Sequence, residues 1–252
     1  MELVVPVDGG EIWVEDSQGE GTPLTFVHPG WGNSDIWPPV LAALDGYRTI
    51  RYDDRAHGRS PAPTGPFTLL GDLCAVLDHL GIERTALVGH SGGGGTSLGL
   101  ALAEPGRVTS LVLVAPGVQD YPWPQDDPYG IEFRRLYEAR DHDGLVDLGL
   151  RTWGPAGADP LTLAQINDAV SAYSVKLPHE RPDPPAYGRL ADVRAPAVMI
   201  RGDREYPMVA ECSDAIASRI PGCARVIIPG ADHMLPLRAP ARLAELIAER
   251  IR

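Results

Sequence analysis

One serine stands at a corner of this chain. The stretch Val88-Gly89-His90-Ser91-Gly92-Gly93, with Gly94 and Gly95 behind it, follows the apolar run Thr85-Ala86-Leu87-Val88. It precedes Thr96 to Ala103, a small-residue run that reads as helix. A strand that turns on glycines into a helix, with serine at the turn, is the G-x-S-x-G nucleophile elbow. The glycines at 89 and 93 let strand and helix approach closely, and the corner serine occupies strained backbone. Its hydroxyl then projects beyond the strand's carboxyl end, and the N–H of Gly92, opening the helix, can face an oxyanion. A phosphate cradle is the competing reading. The stretch has neither the Lys-Ser/Thr of a phosphate loop nor the G-x-G-x-x-G spacing after the strand.

A serine hydroxyl is a poor nucleophile at neutral pH and needs a base that is itself oriented by an acid. His233 lies in Gly230-Ala231-Asp232-His233-Met234-Leu235-Pro236, in a loop after the last expected strand. That position brings it to the carboxyl end of a sheet, near Ser91. A surface-loop histidine is the bland alternative. The turn Arg201-Gly202-Asp203-Arg204-Glu205 follows the next-to-last strand and offers two carboxylates. Asp120, beyond the strand that ends at Val114, is a third.

The elements that must hold these residues alternate. Leu3–Val7 and Glu11–Glu15 flank Asp8-Gly9-Gly10 and predict an antiparallel hairpin. Strands are expected at 24–27, 47–52, 85–88, 108–114, 197–200 and 224–228. Helices are expected at 34–44, 69–80, 96–103, 208–220 and 237–251. Strand–helix alternation implies a parallel sheet with crossovers. Between about Val118 and Gly188 the rhythm breaks into a proline- and aromatic-rich start and helical patterning, which reads as a helical cap inserted between two strands. The expected division is a core of 1–117 and 189–252 with a lid of 118–188. Trp123, Tyr129, Trp153 and Tyr173 in that lid are candidates to line an apolar pocket.

A chain of 252 residues with 44% hydrophobic and 22% charged residues can bury one full α/β core. A net charge of −12 opposes binding to nucleic acid or an anionic membrane, which need a basic footprint. The start Met1-Glu2-Leu3-Val4-Val5-Pro6 shows no basic region ahead of a long apolar one, and no apolar run is long enough to span a bilayer. Cys74, Cys212 and Cys223 form no zinc-like pair and read as thiols in a reducing compartment. A cytoplasmic location is the expectation, with a small-molecule substrate, no metal and no cofactor.

Taken in order, these residues resemble the α/β-hydrolase family over nearly the whole chain. The resemblance rests on the His28-to-Trp37 loop, the Asp53-to-Ser60 loop, the elbow, the cap, the acid turn and the terminal histidine loop, in the family's order of serine, acid, histidine. It implies an α/β fold with a mostly parallel twisted sheet of about eight strands, an N-terminal antiparallel hairpin, helices on both faces and an inserted helical cap. It implies a triad of Ser91, His233 and an acid usually found as aspartate three residues after the turn glycine. Glu205 occupies that place here, a departure, and Asp203 is its rival. The second oxyanion donor is expected just after His28. Because Pro29 has no N–H, Gly30, or else Trp31, is left to partner Gly92; Trp31 is alternatively a pocket wall. By the same resemblance His28, Asp53, Arg55, His57 and Arg59 are loop supports, and His90 points away from the cleft.

The expected activity is cleavage of a carboxylic ester or lactone through an acyl-enzyme. Serine at 91, where haloalkane dehalogenases and epoxide hydrolases would carry aspartate, argues against those chemistries. A carbon–carbon hydrolase or lyase, a perhydrolase, and a weakly catalytic, receptor-like ligand-binding protein stay open as alternatives.

Overall fold

The computed structural model describes residues 1–44 and 46–251; Asp45 and Arg252, both inside the expected core span, lie outside the described residues. The hairpin forms as β1 (Glu2–Val7) and β2 (Gly10–Asp16), paired from Glu2↔Glu15 to Val7↔Gly10. β3 (Leu24–Val27), β4 (Thr49–Tyr52), β5 (Thr85–His90), β6 (Val108–Val114), β7 (Ala197–Gly202) and β8 (Ala224–Ile228) complete one sheet of order β1-β2-β4-β3-β5-β6-β7-β8. β2 runs antiparallel to both β1 and β4, and every other pairing is parallel.

Both faces of the central strands are buried, which is why they are continuously apolar. Val88, Val112 and Val114 feed one core with Phe26, Trp37 and Ile200. Leu87, Leu111 and Leu113 feed the other, with Leu73, Leu98 and Ile216. Successive side chains alternate between these two layers, as the period of a strand demands. α2 (Leu69–His79), α3 (Gly92–Ala103) and α7 (Pro207–Arg219) cover the second face. α1 (Pro38–Leu41) and α9 (Pro240–Ile251) cover the first, with the short α8 (Leu235–Arg238) beside them.

Two helices expected as single pieces are broken. Residues 34–44 form a 3-10 turn at Ser34–Ile36 and then the four-residue α1, because Pro38 and Pro39 fit only a first turn. The terminal helix divides at Ala239, whose backbone leaves the helical region ahead of Pro240 (φ −138°, ψ 53°).

Between β6 and β7 lie α4 (Pro128–Glu138), α5 (His142–Trp153) and α6 (Pro160–Lys176), with α5 packed against both others. Each has an aspartate N-cap, Asp127, Asp141 and Asp159 respectively, accepting first-turn N–H groups. α6 is fastened to the sheet's loops by polar contacts. Gln165 accepts the Asn33 N–H (2.8 Å) and donates to Asn33 Oδ1 (3.0 Å). Asp168 accepts the Gly58 N–H (3.0 Å). The buried Lys176 ammonium lies 3.4 Å from Asp54 and 3.5 Å from Glu180. Burial alone would lower the Lys176 pKa; the two carboxylates outweigh it and hold the charge. Among the described residues, no helix is long and apolar enough to cross a membrane.

Candidate active site

Ser91 sits at φ 54°, ψ −118°, a backbone region that costs a residue with a side chain about 1–3 kcal/mol. Neighbouring backbone pins it there. Its N–H donates to Val114 (2.9 Å), and its carbonyl accepts the N–H groups of Gly94 (3.0 Å), Gly95 (3.3 Å) and Gly117 (3.0 Å). The flanking glycines are obligatory for packing. A Cβ at Gly89 would overlap the Gly93 carbonyl and Ser97 Oγ, and one at Gly93 would overlap the carbonyls of Val27 and His28. The elbow is thus wedged against the end of β3. That contact brings the first turn of α3 beside the loop after β3: a Cβ at Gly92 would lie 3.7 Å from the Gly30 nitrogen. Neither amide N–H donates to an acceptor among the described residues.

The loop after β8 carries His233, which is 1% exposed. Its Nδ1 stands 2.9 Å from each carboxylate oxygen of Glu205, whose Oε1 also accepts the Tyr206 N–H (2.9 Å). A carboxylate acceptor puts the proton on Nδ1, so Nε2 presents a lone pair. Nε2 meets no hydrogen-bond partner among the described residues, Ser91 included. The imidazole packs against the rings of His90 and Trp153, each at a centroid distance of 4.8 Å.

The rival acids are elsewhere. Asp203 is exposed, and its Oδ1 accepts the Gly230 N–H (2.6 Å), bracing the turn that leads to the histidine loop. Asp120 is exposed at φ 68° and forms no bond to His233. His28 is a loop support: its Nε2 accepts the Asp54 N–H (2.9 Å), so Nδ1–H donates to the Pro29 carbonyl (2.8 Å). Asp53 accepts N–H groups from Ser34 (2.8 Å) and Arg59 (2.9 Å). The Arg55 guanidinium forms a buried pair with Asp72 (2.7 Å). His57 is held at the Lys176 cluster, 3.4 Å from the ammonium.

Ser91 and Gly92 open onto a cavity of about 550 Å³, and Trp31, Trp123, Tyr129 and Trp153 all contribute to its wall. Trp31 also centres an aromatic group, edge-on to Tyr129, Phe133 and Tyr173. Tyr173 does not reach the cavity wall; its hydroxyl donates to the Gly30 carbonyl (3.1 Å). Among the described residues, no cluster of histidine, cysteine and carboxylate side chains could hold a metal.

Two participants escape a reading of the sequence. His90 does face away from the cavity, yet it lies against His233; burial, and then the neighbouring imidazole, push its pKa well below the usual histidine value. Asp232, next to His233, is buried and accepts N–H groups from Ala156 (2.8 Å) and Met234 (3.1 Å), plus Arg238 Nε (3.1 Å). Arg238 reaches on to Asp159 (2.5 Å), joining the histidine loop to the start of α6. The Gly-Ala-Asp-His-Met run contains Asp232, but nothing in its spacing names the partners.

The profile of the alpha/beta hydrolase family matches residues 26–246. This chain belongs to that family. It is similar to the putative carbamate hydrolase RutD of Caulobacter sp. (strain K31), at 29% identity over 83% of this chain and 82% of that protein. Among solved structures it resembles Est816, described as an N-acyl homoserine lactone degrading enzyme, with TM-score 0.79, 25% identity, and 98% and 99% of the two chains covered. The enol-lactonase of Burkholderia xenovorans LB400 shares the fold, with TM-score 0.81, 23% identity and 99% of each chain covered. Membership of this family supports hydrolase activity.

Proposed function

We propose that this α/β-hydrolase cleaves a carboxylic ester or lactone through an acyl-enzyme on Ser91. The reading rests on one observation above all: a buried carboxylate bonded to His233 Nδ1, which leaves Nε2 basic at the same end of the sheet as the elbow serine. His233 Nε2 takes the Ser91 proton as Oγ attacks the carbonyl carbon. The resulting oxyanion is held by the N–H groups of Gly92 and Gly30. The imidazolium, stabilised by Glu205, then protonates the leaving oxygen as the carbon–oxygen bond breaks. Water attacks the acyl carbon with His233 again as base, releasing the acid and restoring Ser91. Residues 118–188 act as the lid that shapes the cavity, and Trp31, Trp123, Tyr129 and Trp153 contact the substrate. The acidic charge and the three unpaired cysteines fit a cytoplasmic enzyme of small molecules.

His233 Nε2 makes no hydrogen bond to Ser91 among the described residues, which favours a second reading, a ligand-binding protein with slow turnover. Catalytic hydrogen bonds commonly tighten only in the Michaelis complex, which keeps the triad the favoured reading. Hydrolysis of p-nitrophenyl butyrate, falling about 10⁴-fold or more in Ser91→Ala, is the result expected of the enzyme. Equal rates for the two proteins would reject the acyl-enzyme.

A further inference from the structure

The loop that carries His233 and the segment between α5 and α6 share one carboxylate. Asp232 precedes His233 and is fully buried. Its Oδ1 accepts the Met234 N–H (3.1 Å), two residues on, so the side chain closes a turn around His233 itself. Its Oδ2 accepts the Ala156 N–H (2.8 Å) from the segment that joins α5 to α6. Arg238 spans both sides. Its Nε reaches Asp232 Oδ1 (3.1 Å), while its terminal nitrogens reach the Gly157 carbonyl (2.6 Å) and Asp159 (2.5 Å). Trp153, the last residue of α5, lays its ring against the His233 imidazole at 4.8 Å. Residues 153–159 therefore meet the histidine loop at the ring, at the carboxylate and at the guanidinium.

A buried carboxylate is costly unless donors surround it. Two amides and both arms of the Arg238 fork occupy the two oxygens of Asp232, which leaves no capacity for a ligand or a proton relay. Nor is Asp232 needed to dock the inserted helices. Gln165 on Asn33, Asp168 on Gly58 and Lys176 on Asp54 already fasten α6 to the loops after β3 and β4. What the Asp232 bonds add is a fixed approach for the imidazole, whose Nδ1 meets Glu205 at 2.9 Å. We propose that Asp232 is a positioning residue for His233: one carboxylate oxygen sets the turn that carries the imidazole, and the other fastens that turn to residues 153–159, so that the inserted helices and not the core alone orient the base. The inference rests on the acyl-enzyme reading for the work His233 does. A reacting group displaced by about 1 Å loses about 10²-fold in rate, so a tie of this kind reaches catalysis without touching substrate.

Asp232→Asn is the test, because an amide has one acceptor oxygen where the carboxylate has two and sets its own N–H against Ala156 or Met234. For p-nitrophenyl butyrate kcat should fall about 10²-fold with KM within about threefold, in protein that stays folded by circular dichroism. Asp159→Ser approaches the same tie from its other end. Serine still caps α6 but releases Arg238, and kcat should fall about three- to tenfold. Asp168→Ala frees α6 from Gly58, away from the histidine loop, and should leave kcat within about threefold. The low-field proton NMR signal of His233 Nδ1–H reads the ring without turnover. It should be sharp in the unaltered protein and broadened or lost in Asp232→Asn as the bond to Glu205 loosens. Unchanged kcat and an unchanged Nδ1–H signal in folded Asp232→Asn would overturn the proposal, as would an equal fall of kcat in Asp168→Ala. Should Asp232→Asn not fold, unchanged kcat in Asp159→Ser overturns it. Loss of the signal in Asp232→Asn, when the unaltered protein hydrolyses no ester, would support the positioning role while rejecting the acyl-enzyme.

Discussion

Replacing Glu205 by glutamine removes one charge and nearly nothing else. The side chain keeps its length, and its amide oxygen can still accept the Nδ1–H that the carboxylate accepts at 2.9 Å. What is lost is the stabilisation of the imidazolium as the Ser91 proton arrives. With the charges about 4 Å apart and an effective dielectric constant of about 20, the interaction is worth about 4 kcal/mol. Glu205 and His233 side chains are both fully enclosed, so solvent does little to screen it. The expected result is a fall of about 10³-fold in kcat for p-nitrophenyl butyrate, with KM within about threefold. Glu205→Asp withdraws the carboxylate by about 1.5 Å, one carbon–carbon bond, and should also be impaired. Asp203→Asn should keep kcat within about threefold, because that carboxylate serves the Gly230 N–H rather than the imidazole. Activity retained within tenfold in Glu205→Gln, or lost in Asp203→Asn with the fold intact, would refute the assignment.

Relieving the elbow should stabilise the protein: Ser91→Gly removes the Cβ at φ 54° and should raise Tm by about 3 °C in calorimetry, whereas Ser91→Ala should not. Gly93→Ala should fail to give folded protein by circular dichroism, since the new Cβ would drive into the backbone of β3 and the loop beyond it. Lys176→Met should cost about 3–5 kcal/mol in urea unfolding by leaving Asp54 buried without its ammonium partner. Burial, then Lys176, push the His57 pKa down to about 4. Over the range from 6.5 down to about 4 the unfolded chain binds the proton and the folded one does not. Stability from this residue is therefore intact above 6.5 and lost as pH falls through that range, by at most about 3 kcal/mol. Urea midpoints at pH 7.5 and 4.5 should show the drop, and His57→Gln should shrink it.

The central strands were legible because burial on both faces forces continuous apolar runs such as Val108–Val114, which matches the observed strand end to end. The elbow was legible because its glycines answer to backbone overlap rather than taste. Glu205 required a resemblance to be preferred: two carboxylates separated by one residue look alike until the turn aims one at His233 and the other at the Gly230 amide. Segments 34–44 and 237–251 broke where prolines interrupt otherwise helical patterns. Long-range polar ties are a different matter. The bonds of Asp232 to Ala156 and of Gln165 to Asn33 join residues far apart in sequence, and no local spacing announces them. The same holds for the tilted contact of His90 with His233, which depends on how the last loop returns over β5.

Catalysis as proposed requires Ser91 to be a nucleophile activated by His233. Intact-protein and peptide mass spectrometry after treatment with a fluorophosphonate reads it directly. One covalent adduct per chain is expected on the Ser91 peptide, absent in Ser91→Ala and formed at least about 10²-fold more slowly in His233→Ala. An adduct elsewhere, or labelling of Ser91 at the same rate without His233, would contradict it.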